Sequence, residues 1–327
     1  MTTSSAAAIN SDPDYSVDYS IIVPIYLNAA TIKALIDRLH SIADELGDQV
    51  EVVFVIDGCP ENSYAELMNR LPDNNLNAVV LNLSRNFGSF AAIREGLRAA
   101  NGKYFAVMAA DLQEPEELAK EMLIALAENR ADVVTGTRIS RSDPWSSQLF
   151  SRLFWRMQKR IVQPDMPAGG IDVFGCNRAF RDGLLRLEEN HTSLVGQLFW
   201  LGFRRLEIPY QRLPRSSGKS GWNWSRKRKY FFDSLFAFTD LPIRIFTLLG
   251  LLGILTSIVL GLVVLIARIT GQIDMPGYAA TVLTIVFFAG LNLFGIGIVG
   301  NYVWRTYENT KQRPLAVVMS KHEFPKP

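Results

Sequence analysis

The sequence predicts a doubly wound, mostly parallel α/β sheet followed by a two-helix membrane hairpin. Three observations predict it. Short uncharged apolar runs alternate with stretches of helical spacing from Ser20 to Gly136. Two later segments, Ile245 to Ala267 and Ala279 to Trp304, contain no charged residue. The apolar run Tyr104 to Met108 gives way to Asp111, Gln113, Glu114 and Pro115. An acid at the carboxyl end of a parallel strand faces the crevice where open α/β sheets bind ligands.

Each element follows from the residue pattern. Residues 1–18 are Ser-, Ala-, Asp- and Thr-rich and read as a disordered tail. Ser20 to Ile25 is a first buried strand, with Pro24 at its end because a central strand cannot lose a donor. Thr31 to Leu46 has helical apolar spacing. Glu51 to Ile56 is a second strand, ending in the turn signal Asp57-Gly58. Ala78 to Leu83 is the third strand, and Phe90 to Ala100 a helix closed by Asn101-Gly102. Tyr104 to Met108, a helix over Glu116 to Asn129 and a strand over Ala131 to Gly136 complete the alternation, which weakens after about residue 140. No Gly-x-Gly-x-x-Gly follows a strand and no Walker A sequence is present.

The chain has 327 residues, with 34 Lys plus Arg against 32 Asp plus Glu, so global charge points to no partner. Cys59 and Cys176 are far apart with no His near either, which argues against a disulfide framework or a zinc site and fits a reducing compartment.

Charge is concentrated locally. Residues 212–229 hold Arg212, Arg215, Lys219, Arg226, Lys227, Arg228 and Lys229 with no acid, interleaved with Trp222 and Trp224. Gly218 and Gly221 predict flexibility there. Such a stretch suits nucleic acid or a membrane surface; the apolar segments that follow favour the membrane, and no nucleic-acid partner is expected. Residues 225–244 are expected to lie on the surface as an amphipathic helix, carrying Phe231, Phe232, Leu235, Phe236 and Phe238. Residues 245–267 and 279–304 each meet the ~20 residues a crossing needs. Their short connection makes a hairpin. Arg244, Arg305, Lys311 and Arg313 flank its outer ends against Arg268 in the loop, so the positive-inside rule places both termini, including the tail 305–327, in the cytoplasm. Gly253, Ser257 and Gly261, spaced by four, are expected to form a close-packing face.

Asp111 and Gln113 are hard oxygen donors two residues apart. In extended chain both face one side, which suits Mg²⁺ or Mn²⁺ carrying substrate phosphates. The same residues also read as a helix start, with Asp111 as cap and Glu114, Glu116 and Glu117 in the first turn.

Five motifs occur in order: Val23-Pro24-Ile25-Tyr26, Val55-Ile56-Asp57-Gly58, Arg85-Asn86-Phe87-Gly88, Ala110-Asp111-Leu112-Gln113 and Gly136-Thr137-Arg138. Over roughly residues 18–230 this set resembles glycosyltransferase family 2 enzymes with the GT-A fold, a Rossmann-like sheet. With the hairpin it more narrowly resembles polyprenyl-phosphate glycosyltransferases, the bactoprenol glucosyltransferases and dolichol-phosphate mannose synthases. Single motifs are weak, but the ordered set before a double-span tail is specific.

The resemblance implies roles. A cytoplasmic GT-A domain over 19–224 would transfer a hexose, by resemblance glucose from UDP-glucose, to a polyprenyl phosphate such as undecaprenyl phosphate at the inner membrane. GDP-mannose and UDP-N-acetylhexosamines remain open as donors. Nucleotide-sugar contacts are implied at Pro24, Tyr26, Asn28, Asp57, Arg85, Ala110, Asp111, Arg138, Arg215 and Lys219, the last two on the family's mobile loop. Asp111 and Gln113 are implied as ligands of Mg²⁺ or Mn²⁺. Asp172, in Gly169-Gly170-Ile171-Asp172, matches the family's acid beside the acceptor. Arg226, Lys227, Arg228 and Lys229 would meet anionic lipid. A homo-oligomer, a tetramer by resemblance, is also implied. The chain departs from the family at Ala109, where an Asp is usual, at Leu27-Asn28 in place of Asn-Glu, and at Cys59 in place of Ser. Ala109 also leaves room for a catalytically weak membrane protein that keeps the fold to bind nucleotide or recruit a partner.

Overall fold

A computed structural model describes residues 17–47, 49–139, 171–190, 192–213, 241–271 and 277–326, with Asp233, Phe236 and Thr239. The elements are β1 (Tyr19–Ile25), a 3-10 turn (Ala29–Thr31), α1 (Ile32–Leu46), β2 (Val50–Ile56), α2 (Ser63–Arg70), β3 (Ala78–Leu83), α3 (Ser89–Ala99), β4 (Tyr104–Val107), α4 (Glu116–Ala127), β5 (Val133–Arg138), β6 (Ile171–Asn177), α5 (Arg178–Leu185), α6 (Leu194–Trp200), β7 (Arg205–Tyr210), α7 (Leu241–Ile269), α8 (Tyr278–Thr310) and β8 (Val318–Phe324). The strands form one eight-stranded sheet in the order β7-β5-β6-β4-β1-β2-β3-β8. β1 pairs in parallel with β2 and β4, β2 with β3, and β5 with β7. β6 and β8 run antiparallel to their neighbours.

Alternation along β1 divides the core between the two faces. Ile21, Val23 and Ile25 pack with Leu35 and Leu39 of α1, Leu67 of α2 and Leu123 of α4. Ile22 joins Ile93 and Leu97 of α3, Phe180 of α5 and Leu198 of α6 on the other face. Helices on both faces explain why the parallel strands read as continuous apolar runs. Pro24 is tolerated in a central strand for a topological reason. Ile22 accepts from Met108 on the β4 side and Ile25 from Asp57 on the β2 side. Position 24 therefore faces the β4 side, where register pairing has already stopped at Ile22–Val107.

Several expectations need correction. Val17 is buried and Asp18 pairs with Lys103 at 2.8 Å, so the ordered domain begins before residue 19. The alternation fades after β5 because Ile171–Asn177, which carries Asp172, is a strand inserted antiparallel between β4 and β5. Residues 305–327 are not a simple tail. α8 continues to Thr310, and β8 returns to the sheet along all of β3, with Tyr64 and His322 bonded at 2.9 Å. The rest of the tail 1–16 and most of the amphipathic segment 225–244 lie outside the described residues.

α7 and α8 have 29 and 33 residues, both long and apolar enough to cross a membrane. At about 1.5 Å per residue α8 is near ~50 Å, longer than a ~30 Å hydrocarbon core. Large side chains stay uncovered by protein; Leu251 is 63% and Leu293 70% exposed. The helices touch through Phe246 and Phe294. Gly295 is the close-packed position, because a Cβ there would lie 2.1 Å from the Phe246 ring. Of the expected small-residue face, Gly253 meets Phe288 and Gly261 has nothing within 4 Å. Below them Arg305 pairs with Asp233 at 2.8 Å and lies over the Phe236 ring.

Candidate functional site

The carboxyl ends of β1, β2 and β4 bring three loops together, and buried polar groups hold each one. After β1, Asn28 Oδ1 accepts the Tyr26 N–H at 3.2 Å, so Asn28 shapes its own turn. Leu27 takes φ 59° there, and its N–H donates to Cys59 Sγ at 3.2 Å on the neighbouring loop. Thr31, at the start of α1, donates to the Ala110 carbonyl at 2.9 Å. Arg38 on the same helix donates to the Glu114 carbonyl at 2.8 Å. α1 thus fixes both ends of the loop that carries Asp111. Neither Thr31 nor Arg38 stands out in the sequence as a site residue.

Asp57 is 2% exposed. One carboxylate oxygen accepts from the Phe87 N–H at 2.7 Å, the other from the Gly88 N–H at 2.9 Å. The residue expected to meet base or ribose therefore also ties the Arg85–Gly88 loop to β2. The two loops approach so closely at Gly58, φ 54°, that a Cβ would lie 2.1 Å from the Arg85 carbonyl carbon. Arg85 itself lies 4.0 Å over the Phe87 ring and bonds within its own loop.

Asp111 and Gln113 are not in extended chain. Leu112 between them takes φ 57° and turns the backbone. Gln113 N–H donates back to Asp111 Oδ1 at 3.3 Å. Gln113 Oε1 accepts from Arg212 at 2.5 Å and its Nε2 donates to the Leu213 carbonyl at 3.2 Å. Arg212 also lies 3.6 Å from Asp111 Oδ2. The structure thus uses both ends of the Gln113 amide on the segment after β7, a role the sequence did not reveal. The cation at Asp111 in this structure is the Arg212 guanidinium. Among the described residues no group of three or more His, Cys, Asp or Glu side chains converges. An ion at Asp111 would draw most of its shell from phosphate and water, which suits Mg²⁺ or Mn²⁺.

The other expected residues are placed as follows. Pro24 and Tyr26 are half-buried at the end of β1, and Ala110 is buried. Arg138 closes β5 in register with Tyr210 of β7. Asp172 is the second residue of β6, and its side chain lies outside the described residues, as do Arg215, Lys219, Arg226, Lys227, Arg228 and Lys229. Cys176 is remote from this site in the core, where burial pushes its thiol far above the ordinary range. Both cysteines are free.

Comparison with known proteins bears on this arrangement. The chain is 30% identical over 304 residues, 93% of its length and 95% of the relative's, to the uncharacterized glycosyltransferase sll0501 of Synechocystis sp.. It is 27% identical over 307 residues, 94% of each chain, to the uncharacterized glycosyltransferase YkcC of Bacillus subtilis. Among solved structures, the mannosyltransferase PcManGT from Pyrobaculum calidifontis, in complex with GDP-Man and Mn²⁺, aligns with 17% identity and a TM-score of 0.45, covering 64% of this chain and 62% of that one. The model of glycosyl transferase family 2 matches residues 20–187, a span that takes in the Asp57, Arg85 and Asp111 loops. The chain therefore belongs to glycosyl transferase family 2, and its mixed, mostly parallel sheet is the GT-A fold of a glycosyltransferase.

Proposed function

We propose that this glycosyltransferase is an inverting enzyme of the polyprenyl-phosphate type, taking a hexose from a nucleotide sugar and its acceptor from the membrane. The observation that carries the reading is the path of the chain. It leaves the catalytic sheet through two uncovered apolar helices and comes back to it as β8. A donor site so tethered to two membrane-length helices suits a water-soluble donor and a lipid acceptor. An even number of crossings returns the chain to the side it left, and the β8–β3 pairing supports that count. The basic residues at the outer ends, among them Arg244, Arg305, Lys311 and Arg313, support the cytoplasmic side.

In this reading Pro24 and Tyr26 wall the nucleotide base, and Asp57 orients the nucleotide while fixing the Arg85 loop. Asp111 holds Mg²⁺ or Mn²⁺, which would neutralise charge on the departing diphosphate. Arg138 has the fork to take a phosphate bidentately. The acceptor phosphate oxygen forms the bond to the anomeric carbon as the bond to the diphosphate breaks, with inversion, and the nucleoside diphosphate leaves with the electron pair. A phosphate monoester has its second pKa near ~6, so the acceptor is already mostly dianionic at neutral pH. Asp172 is therefore assigned to orienting acceptor or sugar rather than to removing a proton. UDP-glucose is the donor the resemblance favours, and the resemblance also implies a homo-oligomer.

The test is incubation of the purified protein and polyprenyl phosphate with a panel of nucleotide sugars, followed by mass spectrometry of the lipid. One donor should yield a lipid carrying one added hexose. No sugar-bearing lipid with any donor would overturn the acceptor assignment.

A further inference from the structure

The segment after β7 closes onto the loop after β4 through four contacts. Arg212 Nη2 donates to Gln113 Oε1 at 2.5 Å and stands 3.6 Å from Asp111 Oδ2. Leu213 N–H donates to the Gln113 carbonyl at 2.8 Å, and Gln113 Nε2 donates to the Leu213 carbonyl at 3.2 Å. The pair is largely covered: the Arg212 and Asp111 side chains are 27% and 17% exposed. Arg212 Nε is buried without a hydrogen-bond partner among the described residues. A guanidinium that leaves a buried donor unmet is held by charge rather than by complete bonding.

We propose that Arg212 is the internal cation of Asp111, exchanged for a divalent ion when one arrives, and a positioning residue for that ion. The inference rests on the metal reading of Asp111 given above. Its chemistry is simple. Arg212 occupies Gln113 Oε1, the oxygen that a metal would need, and lies at the carboxylate that a metal would need. Two cations cannot share those oxygens without strong repulsion. Ion binding at Asp111 therefore displaces Arg212. Displacement frees the Gln113 amide, and with it loosens the Arg212–Leu213 clasp.

The test uses the full-length chain in detergent and Mn²⁺ alone, read by the loss of the free-ion electron paramagnetic resonance signal. Arg212→Gln should bind Mn²⁺ about twofold to fivefold more tightly than the native chain, the upper part of the range measured for solvent-accessible ion pairs. Arg212→Lys keeps the charge but loses the fork, and should fall between. Saturating Mn²⁺ should also speed hydrogen exchange in the native peptide that contains Leu213. Asp111→Asn should weaken Mn²⁺ in every background. If Asp111→Asn weakens Mn²⁺ but Arg212→Gln does not tighten it, the exchange is overturned and the metal reading stands. Tighter binding with no change in exchange at Leu213 would overturn the release of the clasp. If Asp111→Asn leaves Mn²⁺ affinity unchanged, the ion binds elsewhere and both ideas fall.

Discussion

Leu112 decides what its two neighbours can do. A non-glycine residue at φ 57° costs on the order of 1–3 kcal/mol and is kept only where its surroundings enforce it. Here Thr31 and Arg38 enforce it from one side of the loop, through the Ala110 and Glu114 carbonyls. The turn takes Asp111 and Gln113 out of extended chain, yet both still meet Arg212, Gln113 through Oε1 and Asp111 through Oδ2. Asp111→Asn should lower kcat by about 10²–10³, as loss of one fixed electrostatic partner does, with an unchanged melting temperature. Near-native turnover with Mg²⁺ or Mn²⁺ would end that assignment. Gly58→Ala is the stability counterpart. Its Cβ would meet the Arg85 backbone at 2.1 Å in a left-handed conformation, so it should cost about 2 kcal/mol or more in a urea titration. At this scale the sequence showed where Asp57 and Asp111 sit, because each ends a buried run. It could not show that Asp57 binds the Phe87 and Gly88 amides, or that Gln113 binds Arg212. Those partners are far away in the chain and leave no local pattern.

Elements were legible in proportion to their burial. β1 to β5 are covered on both faces and read as apolar runs. β6 was hidden because Gly175, Cys176 and Asn177 interrupt the pattern and its partners run antiparallel. β8 was hidden because an edge strand carries charge; Lys321, His322 and Glu323 blunt its open side and make it look like a tail. One junction between elements has a pH signature. Asp132 accepts from Arg204 through Nε and Nη2, both at 3.0 Å, and from the Asn177 amide at 2.9 Å, joining β5, β6 and the entry to β7. The Arg204 hydrogen bond holds its carboxyl below the ordinary aspartate range. A lowered carboxylate stabilises the fold fully above the unfolded pKa of ~3.9, and that contribution disappears as pH falls through the lower folded value. Urea midpoints measured from pH 6 to pH 3 should therefore fall less for Asp132→Asn than for the native chain. Equal slopes would mean that the Arg204 pair contributes nothing.

For the whole molecule, the pairing of β8 with β3 joins the last residues to the first half of the sheet. Deleting residues 313–327 removes the β8-side partner of every residue of β3 from Ala78 to Leu83, leaving β3 paired with β2 alone. The truncated chain should melt lower and self-associate, since an unpaired edge is a template for another strand. Size-exclusion chromatography in detergent checks it, and a monodisperse native-like profile would show the strand to be dispensable. The same pairing bears on topology. A reporter fused after Pro327 should be active only on the side of the catalytic domain, and activity on the opposite side would contradict a two-crossing hairpin.

That returning strand also sets a schedule for biosynthesis. β3 is complete early, yet its neighbour is made only after both apolar helices have left the ribosome. At about 5–20 residues per second the interval is on the order of tens of seconds. For most of it, a nascent chain that already holds Asp57 and Asp111 presents an unfinished sheet. The sheet cannot be completed before both apolar helices have been made, because β8 follows them in the chain. A premature stop after α8 would leave every proposed site residue in place and still release a protein with an open flank.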